Sequence, residues 1–157
     1  MVAKRNPHLL TSSDDLGSSL RIDWTARRTV EFAAVEAYPL EVGGILIHDG
    51  ETLIGAASFT KYISRSGNSI TAYEESSELA EEILGDLLFG QFHSHPGAPT
   101  SLSKDDFAAM EDDDIEWVVS VWPGKRKWCF RHRIYSKHEG KIRIVPMRWN
   151  QAPQCPI

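Results

Sequence analysis

One run of this chain, from Ile83 to Met110, sets a helix, a strand, a turn and a second helix in a fixed order. Ile83-Leu84-Gly85-Asp86-Leu87-Leu88-Phe89-Gly90 reads as the apolar end of a helix with its glycine stop, so residues 91–95 are expected to form a short buried strand. Pro96 withholds an amide donor and ends the ladder. Residues 97–102 are rich in Gly, Pro, Ser and Thr, as a turn should be, and Ser103-Lys104-Asp105-Asp106-Phe107-Ala108-Ala109-Met110 reads as a helix opening. The chain is thereby made to fold back over the end of its own strand.

That return matters because of what the strand carries. His93 and His95 are two residues apart, so on a strand they share a face, while Ser94 points away. Asp106, on the returning helix, is the best candidate for a third ligand. Two imidazoles and a carboxylate leave one tetrahedral position open, which separates a catalytic zinc from a structural one. A local reading stands beside this. Ser103 and Asp106 have the spacing of a helix capping box, and the two histidines could be ordinary polar residues near a sheet edge. The readings are compatible, since a cap would fix Ser103 and Asp106 above the strand end.

A metal hydrolase also needs a group that moves a proton from water to the leaving amine. Glu41 is the candidate, because it stands between a helical pattern ending near Tyr38-Pro39 and the apolar strand Val42-Gly43-Gly44-Ile45-Leu46-Ile47. The plain alternative is an exposed carboxylate at a strand start.

Glu41, then His93-x-His95-Pro96, six residues, and Ser103-x-x-Asp106 resemble the JAMM motif of the MPN/JAB metalloproteases, and Glu41-x-Gly43-Gly44-Ile45-Leu46 resembles an opening common in their bacterial members. No motif position departs from the pattern. The resemblance covers residues 24–145 in element order. It implies an α/β fold of the MPN/JAB, cytidine-deaminase-like kind, a layered sandwich with a mixed, mostly antiparallel sheet flanked by helices. It further implies one zinc per chain held by His93, His95 and Asp106, Glu41 as general acid/base, and Ser103 stabilising the tetrahedral intermediate. The implied activity is cleavage of peptide or isopeptide bonds after the C-terminus of ubiquitin or a ubiquitin-like protein. Small domains of this kind resemble deconjugating peptidases encoded beside adenylating and conjugating enzymes, including those of antiphage CBASS and related operons. Two other readings stay open: a non-catalytic MPN scaffold, and an amidase for a small substrate or sulfur carrier on the same metal site.

Other catalytic classes fit less well. Cys129 lies in a basic strand pattern and Cys155 near the end of the chain, neither with an activating partner, and no Pro-Cys-x-x-Cys segment follows the histidines as zinc deamination requires. At 157 residues the chain suits one domain, expected over residues 23–147, with flexible segments at 1–22 and 148–157. A formal charge of -5 argues against general nucleic-acid binding, despite a local basic patch at Lys125-Arg126-Lys127 and Arg131-His132-Arg133. No apolar run has the length of a signal peptide or a membrane span, and the two cysteines make no disulfide framework, so the cytoplasm is the simplest address.

Periodicity predicts a helix over 25–38, strands over 44–48 and 52–62 joined at Asp49-Gly50, a loop over 63–72, and a helix over 73–89. On that last helix Leu79, Ile83, Leu84, Leu87 and Leu88 are expected to face the core. Strands follow over 115–122, 127–136 and 141–146. His48, His132 and His138 are expected at the surface or in hairpins. Asp112, Asp113 and Asp114 either attract a basic residue of a substrate tail or form a solvated loop.

Overall fold

A computed structural model describes residues 19–150. Ten strands and three helices follow in the order β1 (Leu20–Ile22), α1 (Trp24–Ala37), β2 (Gly43–His48), β3 (Thr52–Ser58), β4 (Tyr62–Arg65), β5 (Ile70–Ala72), α2 (Glu74–Leu84), β6 (Leu88–Pro96), α3 (Lys104–Ala109), β7 (Ile115–Pro123), β8 (Trp128–His138), β9 (Lys141–Val145) and β10 (Met147–Trp149). Eight strands form one sheet, β10-β1-β3-β2-β6-β7-β8-β9, and among the described residues β4 pairs only with β5. The β2–β3, β2–β6, β7–β8 and β8–β9 pairs are antiparallel and the remaining three of the large sheet are parallel, so the sheet is mixed and mostly antiparallel, as expected.

The main core lies on one face of this sheet. Asp23 caps α1, its carboxylate accepting the Thr25 amide at 2.8 Å, and the helix buries Ala26, Val30, Ala33 and Ala34. These pack against Leu46, Phe92, Trp117, Val119 and Ile134 from β2, β6, β7 and β8. The opposite face carries α2, α3 and the β4–β5 hairpin over two smaller apolar clusters, one around Ile45 and Leu88 and one around Met110, Val118 and Tyr135. Trp117 and Val118 are adjacent on β7 and point into different clusters, which is strand alternation at work.

Several expectations are corrected. Residues 20–22 and 147–149 are strands, Leu20 pairing with Met147 and Ile22 with Trp149, so the domain extends past the boundaries expected at 23 and 147. Strands of three residues carry too little pattern to be seen alone, and these two pair with each other across more than a hundred positions of chain. The flexible segments expected at 1–22 and 148–157 otherwise lie outside the described residues. The loop expected over 63–72 is the β4–β5 hairpin, and the strand from Thr52 stops at Ser58.

The helix expected over 73–89 ends at Leu84, where Gly85 turns at φ 50° into a short 3-10 turn, and β6 begins at Leu88 instead of Gln91. Of its apolar stripe, Leu88 is core, as expected, and Leu84 packs against it, but the other three residues are not. Leu79, Ile83 and Leu87 are 54%, 70% and 49% exposed, and only Ala80 and Leu84 of α2 touch the cluster around Ile45. His48 and His132 lie in the β2–β3 and β7–β8 hairpins, within the expectation, but both side chains are buried there. His48 is buried against Phe89, and the His132 ring lies between Trp117, Phe130 and Trp149 with Glu31 at 3.2 Å. His138 is exposed, as expected.

Candidate metal centre

Central strand β6 and its return through α3 build the site. His93 and His95 project from the face of β6 opposite the main core, while Ser94, fully buried, turns the other way and accepts the Val42 amide at 2.9 Å. That bond ties β6 to the segment carrying Glu41. The connection to α3 is held at four points. Gly97 donates its amide to the Val121 carbonyl, the Ser120 hydroxyl donates to Ala98, the Tyr135 hydroxyl to Thr100, and the His95 Nδ1 to Pro99 at 2.6 Å. A loop read from composition as a turn is thus fixed to β7 and β8. Ser103 then caps α3: its hydroxyl accepts the Asp106 amide at 3.0 Å, and the Asp106 carboxylate accepts the Ser103 amide at 2.9 Å. The capping box is real, and it aims Asp106 at the histidines.

Ligand atoms of His93, His95 and Asp106 lie within 4.8 Å of one another. The Nε2 atoms of the two histidines are 2.9 Å apart, and Oδ2 of Asp106 is 3.5 and 3.6 Å from them. Each Nδ1 faces an acceptor: the Glu116 carboxylate at 2.5 Å for His93 and the Pro99 carbonyl for His95. Both Nδ1 atoms therefore carry the ring proton, and both Nε2 atoms are left with lone pairs. Two buried lone pairs and a carboxylate that converge on one point repel each other unless a cation lies between them. The donor set thus fits a divalent metal, and two imidazoles with one carboxylate suit zinc.

A proton is the other cation that fits. Burial opposes a charged His93, but hydrogen bonds and charge from Asp106 and Glu116 outweigh it and push its pKa up to about 10. Burial acts on Asp106 in the opposite sense and is outweighed as well, so that His93 and His95 hold its carboxyl far below the usual range.

Glu41 lies beside this group. Burial raises its pKa; the charges of His93 and His95 pull it back and that of Asp106 adds to the rise. Its backbone is clamped to the hairpin, the amide donating to Ser66 at 2.8 Å and the carbonyl accepting from Arg65 Nε at 2.7 Å. The Tyr62 hydroxyl, within reach of the Gly43 backbone and the Phe59 carbonyl, fixes the root of the same hairpin. Glu41, Gly43, His93, Ser103, Asp106, Glu116 and residues 68–72 line one cleft of about 350 Å³.

The fold is shared with solved structures. A protein from Desulfitobacterium hafniense, solved in solution, matches at a TM-score of 0.66 and 15% identity, covering 85% of this chain and 94% of that one. A JAB1/MPN domain protein from Archaeoglobus fulgidus matches at 0.49 and 17%, covering 86% of this chain and all of that one. A structure described as a metalloprotease-like JAMM zinc site in the proteasome and signalosome matches at 0.47 and 15%, covering 85% and 100%. At 15% identity the likeness to the Desulfitobacterium hafniense protein is one of fold. No family model and no curated protein matches the chain.

Of the residues singled out in the sequence, His93, His95 and Asp106 form the cluster, and Glu41 and Ser103 face the same cleft. The acidic triplet forms the solvated loop that was one of the two expectations, with Asp112 and Asp113 exposed. Asp112 accepts the Gly140 amide at the β8–β9 turn and Asp114 accepts the Glu111 amide, so two of the three shape the loop. Sequence reasoning missed Glu116, Ser120, Tyr135 and Arg65. Glu116 had a signal: it opens an apolar strand, as Glu41 does.

Proposed function

We propose that this domain is a zinc-dependent peptidase or isopeptidase that cuts after the C-terminal tail of a ubiquitin-like protein. The observation that carries the hydrolase half of this reading is the pair of lone-pair-bearing Nε2 atoms converging with Asp106 in an open cleft beside a buried carboxylate with a raised pKa. Zinc bound there would polarise the scissile carbonyl and lower the pKa of a water from about 15.7 to about 7. Glu41 would be placed to take a proton from a water in the cleft and return it to the leaving amine; a carboxyl with a raised pKa is better matched to both halves of that cycle than an ordinary one. The Ser103 oxygen already accepts the Asp106 amide, which leaves its hydroxyl proton to be given to an oxyanion in the cleft.

The shape of the cleft supports an extended substrate. Residues 68–72 form one wall, and β5 pairs only with β4 among the described residues, so its other edge is open to strand addition by a peptide tail. The exposed stripe of α2 supports a folded partner. Leu79 and Ile83 lie one turn apart with Glu75, Glu78 and Glu82 around them, and Ser77 of the same helix lines the cleft. This combination fits a globular partner with an apolar patch ringed by basic residues and an extended tail.

Metal analysis of the purified protein, paired with a ubiquitin-like protein fused through its C-terminus to an acceptor, tests the reading. One zinc per chain and cleavage at the junction are expected, and His93→Ala should lose both. Full zinc occupancy in that variant removes the assignment of the ligands. Equal kcat/KM for the fusion and for the isolated tail peptide moves the reading to a small-substrate amidase.

A further inference from the structure

The two histidines of the cluster are held differently. His95 gives its Nδ1 proton to a neutral backbone carbonyl, whereas His93 gives its own to a carboxylate, Glu116, at 2.5 Å. Glu116 stands on β7 in register with Gln91 of β6, so its side chain emerges on the face that carries His93 and His95. It is 14% exposed and lines the same cleft. Holding the sheet together does not require a carboxylate at this position, since the β6–β7 ladder runs through backbone groups from Gln91 to Pro96. What the carboxylate does is fix one ring orientation of His93 and draw its proton towards Nδ1, which enriches the lone pair on Nε2.

We propose that Glu116 is a positioning residue for the metal: it commits His93 to bind through Nε2 and makes His93 the stronger of the two imidazole donors. This rests on the reading of the cluster as a metal site. A carboxylate behind a ligating histidine typically changes metal affinity by about 10-fold to 100-fold. Glu116→Gln keeps an acceptor of the same shape without the charge, and Glu116→Ala removes both.

The test is zinc affinity by competition with a chelator, together with the visible spectrum of the cobalt-substituted protein, for the wild type and both variants. Glu116→Gln should bind zinc about 10-fold more weakly and Glu116→Ala more weakly still, with cobalt bands shifted from those of the wild type. Melting of the metal-free proteins reports on folding, and the isosteric Gln variant keeps the comparison alive if the Ala variant does not fold. A wild type that binds one zinc, with unchanged affinity and cobalt spectrum in the Gln variant, overturns the role of Glu116. A wild type that binds no zinc overturns the metal reading instead.

Discussion

Asp106 serves two masters through one oxygen: its Oδ2 accepts the Ser103 amide and faces both Nε2 atoms. Local helix chemistry and metal chemistry are therefore coupled at a single atom, while Glu41 is tied to the site only through space. That difference separates their variants. Glu41→Gln should keep the fold and the zinc but lower kcat by about 10²-fold to 10⁴-fold, because an amide cannot relay a proton. Since burial raises the Glu41 pKa, the acid limb of the wild-type rate profile should lie above the ordinary carboxylate range, activity falling as pH drops through it. A profile flat through that region counts against the assignment. Gly44 is constrained in another way. A Cβ there would strike the Ala57 carbonyl and the Phe92 ring, so Gly44→Ala should destabilise the protein by about 1 to 3 kcal/mol in urea denaturation. The Phe92 ring it would displace is on the strand that carries both histidines.

At the scale of elements, the exposed face of α2 is where structure and sequence part. The stripe Leu79, Ile83, Leu84 was legible as amphipathic, but periodicity reports only that one side is apolar and says nothing of what covers it. Here, little does. Leu79→Ser with Ile83→Ser should leave zinc binding and cleavage of an isolated tail peptide unchanged and raise KM for a folded fusion about 10-fold; equal losses on both substrates would remove α2 from the docking surface. The elements holding the ligands were legible for a sound reason. Gly85, Pro96 and Ser103 are punctuation that acts within a few residues, and the histidine spacing translates directly into strand geometry. The hairpin over 62–72 was not, because Ser, Gly and Asn fill its turn over 66–69 and its order comes from Tyr62 and Arg65 reaching back to residues 41–43. The burial of His132 was not legible for a similar reason: its partner Glu31 comes from α1, 101 positions earlier in the chain.

Taken whole, the molecule sets one buried charge pair, His93 on the central strand β6 and Asp106 on α3, against its mixed sheet. The sign of the resulting pH dependence follows from their shifts. A histidine with an ordinary pKa of 6.5 when unfolded and about 10 when folded stabilises the metal-free protein fully below about pH 6.5, and that contribution is lost as the pH rises towards 10. Asp106, lowered from 3.8, contributes above that value and loses its contribution on acidification. Melting curves of chelator-treated protein should therefore fall in stability between about pH 6.5 and 10, and zinc should abolish most of that slope. A metal-free protein equally stable at both ends of this window would show that the pair is not coupled as described.

The pairing of β1 with β10 has a mechanical consequence. Because these strands run parallel, a pull that enters at Leu20 and leaves at Trp149 drags them in opposite senses along their length. The ladder between them, bracketed by the Leu20 amide on the Pro146 carbonyl and the Asn150 amide on Ile22, is then loaded in shear, all its bonds at once. Tension applied at Leu20 and Trp149 therefore meets this latch before it reaches β6, the strand that carries both histidines.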